Sequence, residues 1–113
     1  MTSDQRSHPR HQLDEVIHAP VRFSIVACLF GADRAEFSFV RDAVELSDST
    51  LSKQVSVLES AGYVKVQKGY VGKRPRTWLS LTRTGRNAFG EHLEALRRIA
   101  AQASPGADDS NTL

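Results

Sequence analysis

A chain of 113 residues with 40% hydrophobic content is the size of one domain around one core, and leaves little room for a separate catalytic domain. The lone Cys28 excludes an intrachain disulfide framework and any multi-cysteine metal site. No apolar run approaches the ~18 residues of a membrane span and the N-terminus has no signal-peptide core, so a soluble cytoplasmic protein is expected. The net charge of +2 conceals an asymmetry, because Tyr63 to Gly90 holds seven Lys/Arg and no Asp or Glu, while 1–62 holds six basic and nine acidic residues and 91–113 two and four. One strongly basic segment between two acidic ones is the electrostatic footprint of a polyanion partner.

In chain order, residues 1–12 are polar and carry His8, Pro9 and His11, which predicts a flexible arm; Arg6 and Arg10 would let it reach a minor groove, and a frayed terminus is the plainer reading. Leu13 to His18 reads as a short helical turn, and Pro20 suits the first position of the next helix, where its missing amide costs nothing. That helix carries Val21, Ile25, Val26, Cys28, Leu29 and Phe30 over much of its circumference, as a core helix does, and Gly31 ends it. Cys28 is then a small core residue. Ala35 to Phe37 suggests a minimal strand, Ser38 the cap of a helix with Phe39, Val40, Ala43 and Val44 inward, and Leu46-Ser47 a tight turn.

From Ser47 to Gly62 the pattern is an amphipathic helix, expected over 48–61. Leu51, Val55 and Leu58 recur at helical period, Ser47 is the N-cap, Asp48 complements the dipole, Leu46 can staple onto Leu51, and Gly62 stops the helix with Tyr63 folding back. The opposite face is short hydroxyls around one cation: Ser49, Ser52, Lys53, Ser56 and Ser60. Such a face lets the backbone approach a surface and lets serine bond phosphate or base edges, although a merely solvated helix of poor propensity fits the helix alone.

Val64 and Val66 alternate with Lys65 and Gln67, and Leu79 and Leu81 with Trp78 and Ser80, so two half-buried strands flank a Gly/Pro-marked turn from Lys68 to Arg76. That turn holds four cations, Lys68, Lys73, Arg74 and Arg76. Trp78 suits packing within the ribbon, and Tyr70 suits a backbone contact. Thr82 is a plausible cap for a long helix over 82–103 in which Phe89, Leu93, Leu96, Ile99, Ala100 and Ala103 step by three and four. Its surplus apolar surface suits pairing with a twofold mate, or packing across its own domain. Residues 104–113 read as a disordered acidic tail.

The stretch LSDSTLSKQVSVLESAGYVKVQKGYVGKRPRTWLSLTRTGR resembles the recognition helix and wing of short bacterial winged-helix transcription regulators related to the MarR and ArsR types. The particular likeness is to those with a wing of the form GYVGKRPRT followed by LT-x-x-G, and it extends from about Leu13 to about Leu96. It implies a mainly α fold with a small β-ribbon, a winged helix-turn-helix with an extended C-terminal helix. It also implies a homodimer on double-stranded DNA, with Ser49, Thr50, Ser52, Lys53, Gln54 and Ser56 in the major groove. Lys73, Arg74 and Arg76 would lie on backbone or minor groove; the resemblance assigns no role to Lys68 and Tyr70, which the reading of the ribbon itself adds as DNA contacts. Relatives often carry Arg-His where this chain has Lys53-Gln54. The homodimer would meet an inverted repeat, as a repressor does.

Other classes fit less well. A protein-interaction module or a non-specific architectural protein shares the fold, but a protein-binding wing has less need of seven cations without an acid. The histidines His8, His11, His18 and His92 lack companions at catalytic or ligand spacing, and Gly69 to Lys73 is no phosphate-binding loop, so no enzyme, metal or cofactor is expected. The cysteine ligands of metal-sensing relatives have no equivalents, which leaves only a gathering of His8, His11 and His18 with His92 of a partner chain. Nothing in the sequence argues for a small-molecule effector.

Overall fold

The computed structural model describes residues 8–102. Helices α1 (Glu15–His18) and α2 (Pro20–Phe30) are followed by strand β1 (Ala35–Glu36), helices α3 (Phe37–Ala43) and α4 (Asp48–Ser60), the hairpin β2 (Val64–Val71) and β3 (Arg74–Leu81), and helix α5 (Arg83–Ala101). The antiparallel sheet has the order β1-β3-β2, with Ala35 opposite Leu79 and the hairpin in register from Val64–Leu81 to Val71–Arg74. The core lies where α2, α4 and the base of the sheet meet α5, and comprises Ile17, Ile25, Val26, Leu29, Val40, Leu51, Val55, Leu58, Val64, Leu79, Leu81 and Phe89. Cys28 is half-buried against this cluster, and desolvation pushes its thiol pKa up.

Local signals set most element ends. Pro20 occupies the first turn of α2, and Thr82 caps α5 by accepting the Gly85 N–H at 2.9 Å. The Thr82 hydroxyl also donates to the Gly62 carbonyl at 2.6 Å, and its N–H to the Tyr63 carbonyl at 3.0 Å. Those bonds press the first turn of α5 onto the end of α4 so closely that a methyl group on Gly85 would overlap the Tyr63 carbonyl. The LT-x-x-G sequence is thus a backbone-to-backbone joint.

Five expectations need correction. Within the arm expected over 1–12, Pro9–Gln12 form a 3-10 turn capped by the His8 ring, whose Nδ1 accepts the Arg10 N–H; residues 1–7 lie outside the described residues, as do Ala103 and the tail over 104–113. Ser38 is no cap: Glu36 is still paired with Trp78 when the chain turns, so α3 starts at Phe37. That start puts Phe37, Val40 and Val44 toward the core and leaves Phe39 61% exposed, with Ala43 also outward. Phe30 closes α2 at the surface, its ring 5.0 Å from that of Phe89 and 5.5 Å from the Arg86 guanidinium. The turn expected from Lys68 to Arg76 contracts to Gly72-Lys73, with all other residues of that span in strands; Gly72 has φ +64°, and is the first loop residue, where a tight hairpin favours glycine.

Candidate nucleic-acid interface

The recognition-helix candidate α4 is fastened at both ends. Ser47 Oγ accepts the Thr50 N–H at 3.1 Å and donates to Thr50 Oγ1 at 2.9 Å. Asp48 in the first turn takes an ion pair of 2.9 Å from Arg41 of α3, which Asp42 also engages; hydrogen bonds to the two carboxylates raise the Arg41 pKa. At the far end Gly62 has φ +81°, and the N–H groups of Gly62 and Tyr63 return to the Glu59 and Leu58 carbonyls at 2.9 and 3.0 Å. This left-handed stop is one glycine makes cheaply. The Tyr63 hydroxyl then reaches Asp14 Oδ2 at 2.5 Å, and that hydrogen bond, with burial, pushes its pKa up to about 12.

Between these ends Ser49, Ser52, Lys53 and Ser56 are exposed, with Thr50 exposed but bonded to the cap. Gln54 departs from the expected free face. It is half-buried, and its Oε1 accepts from Arg22 Nη1 of α2 at 3.0 Å, while Arg22 Nε donates to the Val16 carbonyl of α1.

In the wing, side chains alternate between two faces. Lys68 and Tyr70 follow Val64 and Val66 on the face toward α4, and Tyr70 is 73% exposed. With α4 this face encloses an open groove of ≈ 680 Å³, whose rim carries Ser52, Ser56, Glu59, Lys68 and Thr77 and whose floor is Phe37, Val55, Val66 and Leu79. Arg74, Arg76 and Trp78 occupy the opposite face. Trp78 is packed there: its ring leaves a Cβ at Gly69 only 3.1 Å of room, and the Arg34 guanidinium lies 4.5 Å above it. Arg76 does not stand free. It faces Glu36 at 3.4 Å, and its Nε is buried without a partner among the described residues. Lys68, Lys73 and Arg74 are exposed and have no ion-pair partner among the described residues.

A short helix, a second helix with a hydroxyl-rich exposed face, and a hairpin tipped with exposed cations stand side by side. A family model described as a winged helix DNA-binding domain matches residues 21–100. The chain belongs to that family. This winged helix is 28% identical to a solved transcriptional regulator homologue from Pyrococcus horikoshii, with a TM-score of 0.74 over 79% of this chain and 88% of that one. It is 27% identical over 86 residues to an uncharacterised protein of Methanocaldococcus jannaschii, covering 76% of this chain and 94% of the relative. The PcaV transcriptional regulator of Streptomyces coelicolor, solved with its natural ligand, shares the fold alone, with a TM-score of 0.66 at 19% identity over 97% of this chain and 82% of PcaV. The winged helix is therefore a DNA-binding domain of the kind found in transcription regulators, as the sequence motifs implied.

Two features of this winged helix were not foreseen. Helix α5 faces its own domain through Gly85, Phe89, His92 and Ala95, so Phe89, expected at a dimer seam, is 4% exposed and packs against Phe23 and Phe30. Leu93 is 39% exposed, Ala100 is exposed, and Leu96 and Ile99 are half-buried. His92 is 1% exposed: its Nδ1 accepts the Asp14 N–H at 3.0 Å, so its proton resides on Nε2, 3.4 Å from His18 Nδ1. Burial lowers its pKa, and His18 lowers it further. Of the four histidines, His18 and His92 of one chain stand together; among the described residues no three His, Cys, Asp or Glu converge as a metal site. Asp14 Oδ1 caps α1 by accepting the Val16 and Ile17 N–H groups, so Asp14 joins α1, α5 and the end of α4. Among the described residues no helix is long and apolar enough to cross a membrane.

Proposed function

We propose that the protein is a sequence-specific, cytoplasmic repressor that binds an inverted repeat as a homodimer. The observation that carries this is the pairing of α4's exposed Ser49, Ser52, Lys53 and Ser56 with a wing whose Lys68, Lys73 and Arg74 have no acidic partner among the described residues. The short hydroxyls admit α4 to the major groove, with Lys53 beside them and Thr50 at the entry. The wing cations lie on the adjacent backbone or minor groove, with Tyr70 alongside. Arg76 contributes less, because Glu36 already neutralises it. Residues 13–103 form the DNA-binding unit, with α5 as the dimerisation helix. Leu93, Leu96, Ile99 and Ala100 supply the seam that Phe89 does not.

Twofold-related α4 helices about 34 Å apart meet successive major grooves, which makes the site an inverted repeat. The test is selection of bound duplexes from a random-sequence pool at near-physiological salt, followed by sequencing. An enriched inverted repeat is expected. Retention without enrichment would leave only backbone binding, and no retention would end the DNA reading and turn the search to a protein partner.

A further inference from the structure

A glutamine in a recognition helix ordinarily reads adenine with both ends of its amide, the oxygen accepting from N6 and the nitrogen donating to N7. In the present fold the oxygen end of the Gln54 amide is already turned to a partner within the protein. Arg22 Nη1 lies 3.0 Å from Gln54 Oε1. Arginine has donors only, so the side of the amide that faces it is the oxygen, and the orientation follows from the chemistry. Arg22 is itself held in place by its Nε bond to the Val16 carbonyl. The Gln54 nitrogen has no hydrogen-bond partner among the described residues, and it is not among the buried unpartnered atoms, so it keeps some exposure to solvent. Gln54 stands at the edge of the exposed face, beside Lys53 and one turn beyond Thr50.

We propose that Arg22 is a positioning residue that makes Gln54 a donor-only reader, so the base pair it contacts is G·C and not A·T. Guanine presents two adjacent acceptors, N7 and O6, to the amide nitrogen, whereas in A·T the acceptors, adenine N7 and thymine O4, are separated by the N6 donor, so only one of them is within reach. The inference rests on the placement of α4 in the major groove, and it replaces the bidentate adenine contact that a free glutamine would make.

The test repeats the random-pool selection with the full chain and with Gln54→Ala, and compares the enriched sites position by position. The position whose preference collapses in Gln54→Ala is expected to be G·C, with a loss of about tenfold in affinity for a duplex changed there. An A·T pair at that position would overturn the proposal, because the adjacent guanine acceptors would then not be what Gln54 reads. An unaltered site in Gln54→Ala would also overturn it and leave α4's other contacts standing. A wild-type chain that retains DNA without any enriched site would overturn it together with the sequence-specific reading. Arg22→Met, checked for native helicity, is expected to broaden the same position toward A·T while Arg22→Lys restores G·C; strict G·C in a folded Arg22→Met would refute the positioning role. If Arg22→Met does not fold, the wild-type and Gln54→Ala comparison decides.

Discussion

Replacing Arg74 by alanine removes one exposed wing cation per protomer, and its effect can be worked out from the charges left unpaired. Lys68, Lys73 and Arg74 on the wing and Lys53 on α4 are exposed and have no ion-pair partner among the described residues. Four such cations per protomer make eight per dimer, and at about 0.9 per neutralised phosphate the slope of log K against log salt is about −7. Arg74→Ala takes away two of the eight, so the slope becomes about −5.4; between about 50 and 200 mM salt the wild type loses roughly four decades of affinity and the variant roughly three. Arg76→Ala is the internal control, because Arg76 already faces Glu36 at 3.4 Å and its replacement should leave the slope near the wild-type value. The assay is fluorescence anisotropy of a labelled selected duplex across a salt series. An unchanged slope for Arg74→Ala, or an equal flattening for Arg76→Ala, would refute the assignment of phosphate contacts to the unpaired wing cations.

Three further outcomes are expected. His92 titrates at the ordinary histidine value of about 6.5 when unfolded and below it in the fold, so its contribution is complete above that value and drains away as pH falls toward the folded one. The urea midpoint should therefore drop between about pH 7.5 and pH 5.5, and less in His92→Asn, which keeps an acceptor for the Asp14 N–H but cannot titrate; an equal drop in both would exonerate His92. Gly85→Ala, forced against the Tyr63 carbonyl, should cost about 3 kcal/mol and lower Tm by on the order of 15 °C, and a Tm within a few degrees of wild type would mean that the α4–α5 joint yields. Leu93→Asp should yield a folded monomer in sedimentation with weakened DNA binding, whereas Phe89→Ala should destabilise the domain itself by about 3 to 5 kcal/mol; a dimeric Leu93→Asp would place the seam elsewhere.

The ends of elements were legible in the sequence because their causes are local. Ser47, Thr82, Pro20 and Gly62 each act within a turn of where they stand, and the structure uses all four as their chemistry predicts. The start of α3 was not legible, since it depends on Glu36 pairing with Trp78, 42 residues further along the chain. The wing turn looked longer than it is because Pro75 reads as a loop residue. Its strand has β1 as a neighbour only at Trp78 and Leu79, so Pro75 sits where β3 is paired on one side and a missing N–H is tolerated. The partners of Gln54 and Arg76 lie 32 and 40 residues away, and no local signal marks either. The inward face of α5 was missed because it is made of Gly85, His92 and Ala95 around one Phe89, a face that a search for large apolar residues passes over. Family resemblance supplied the DNA-facing roles as a set, without distinguishing a free side chain such as Arg74 from one already engaged.

The hairpin also sets how this protein can change its grip. Its pairs from Lys68–Thr77 outward to Val71–Arg74 project past the last buried residues, and β1 does not reach them. Length can be added or removed there without touching the core, at about 3.4 Å per pair. Yet one residue taken from each strand would turn every side chain beyond the cut to the other face, sending the tip's exposed cation Arg74 toward α4 and Tyr70 away from it. Wings of related chains on this scaffold should therefore differ in reach by even numbers of residues per strand, a lengthwise ratchet of two.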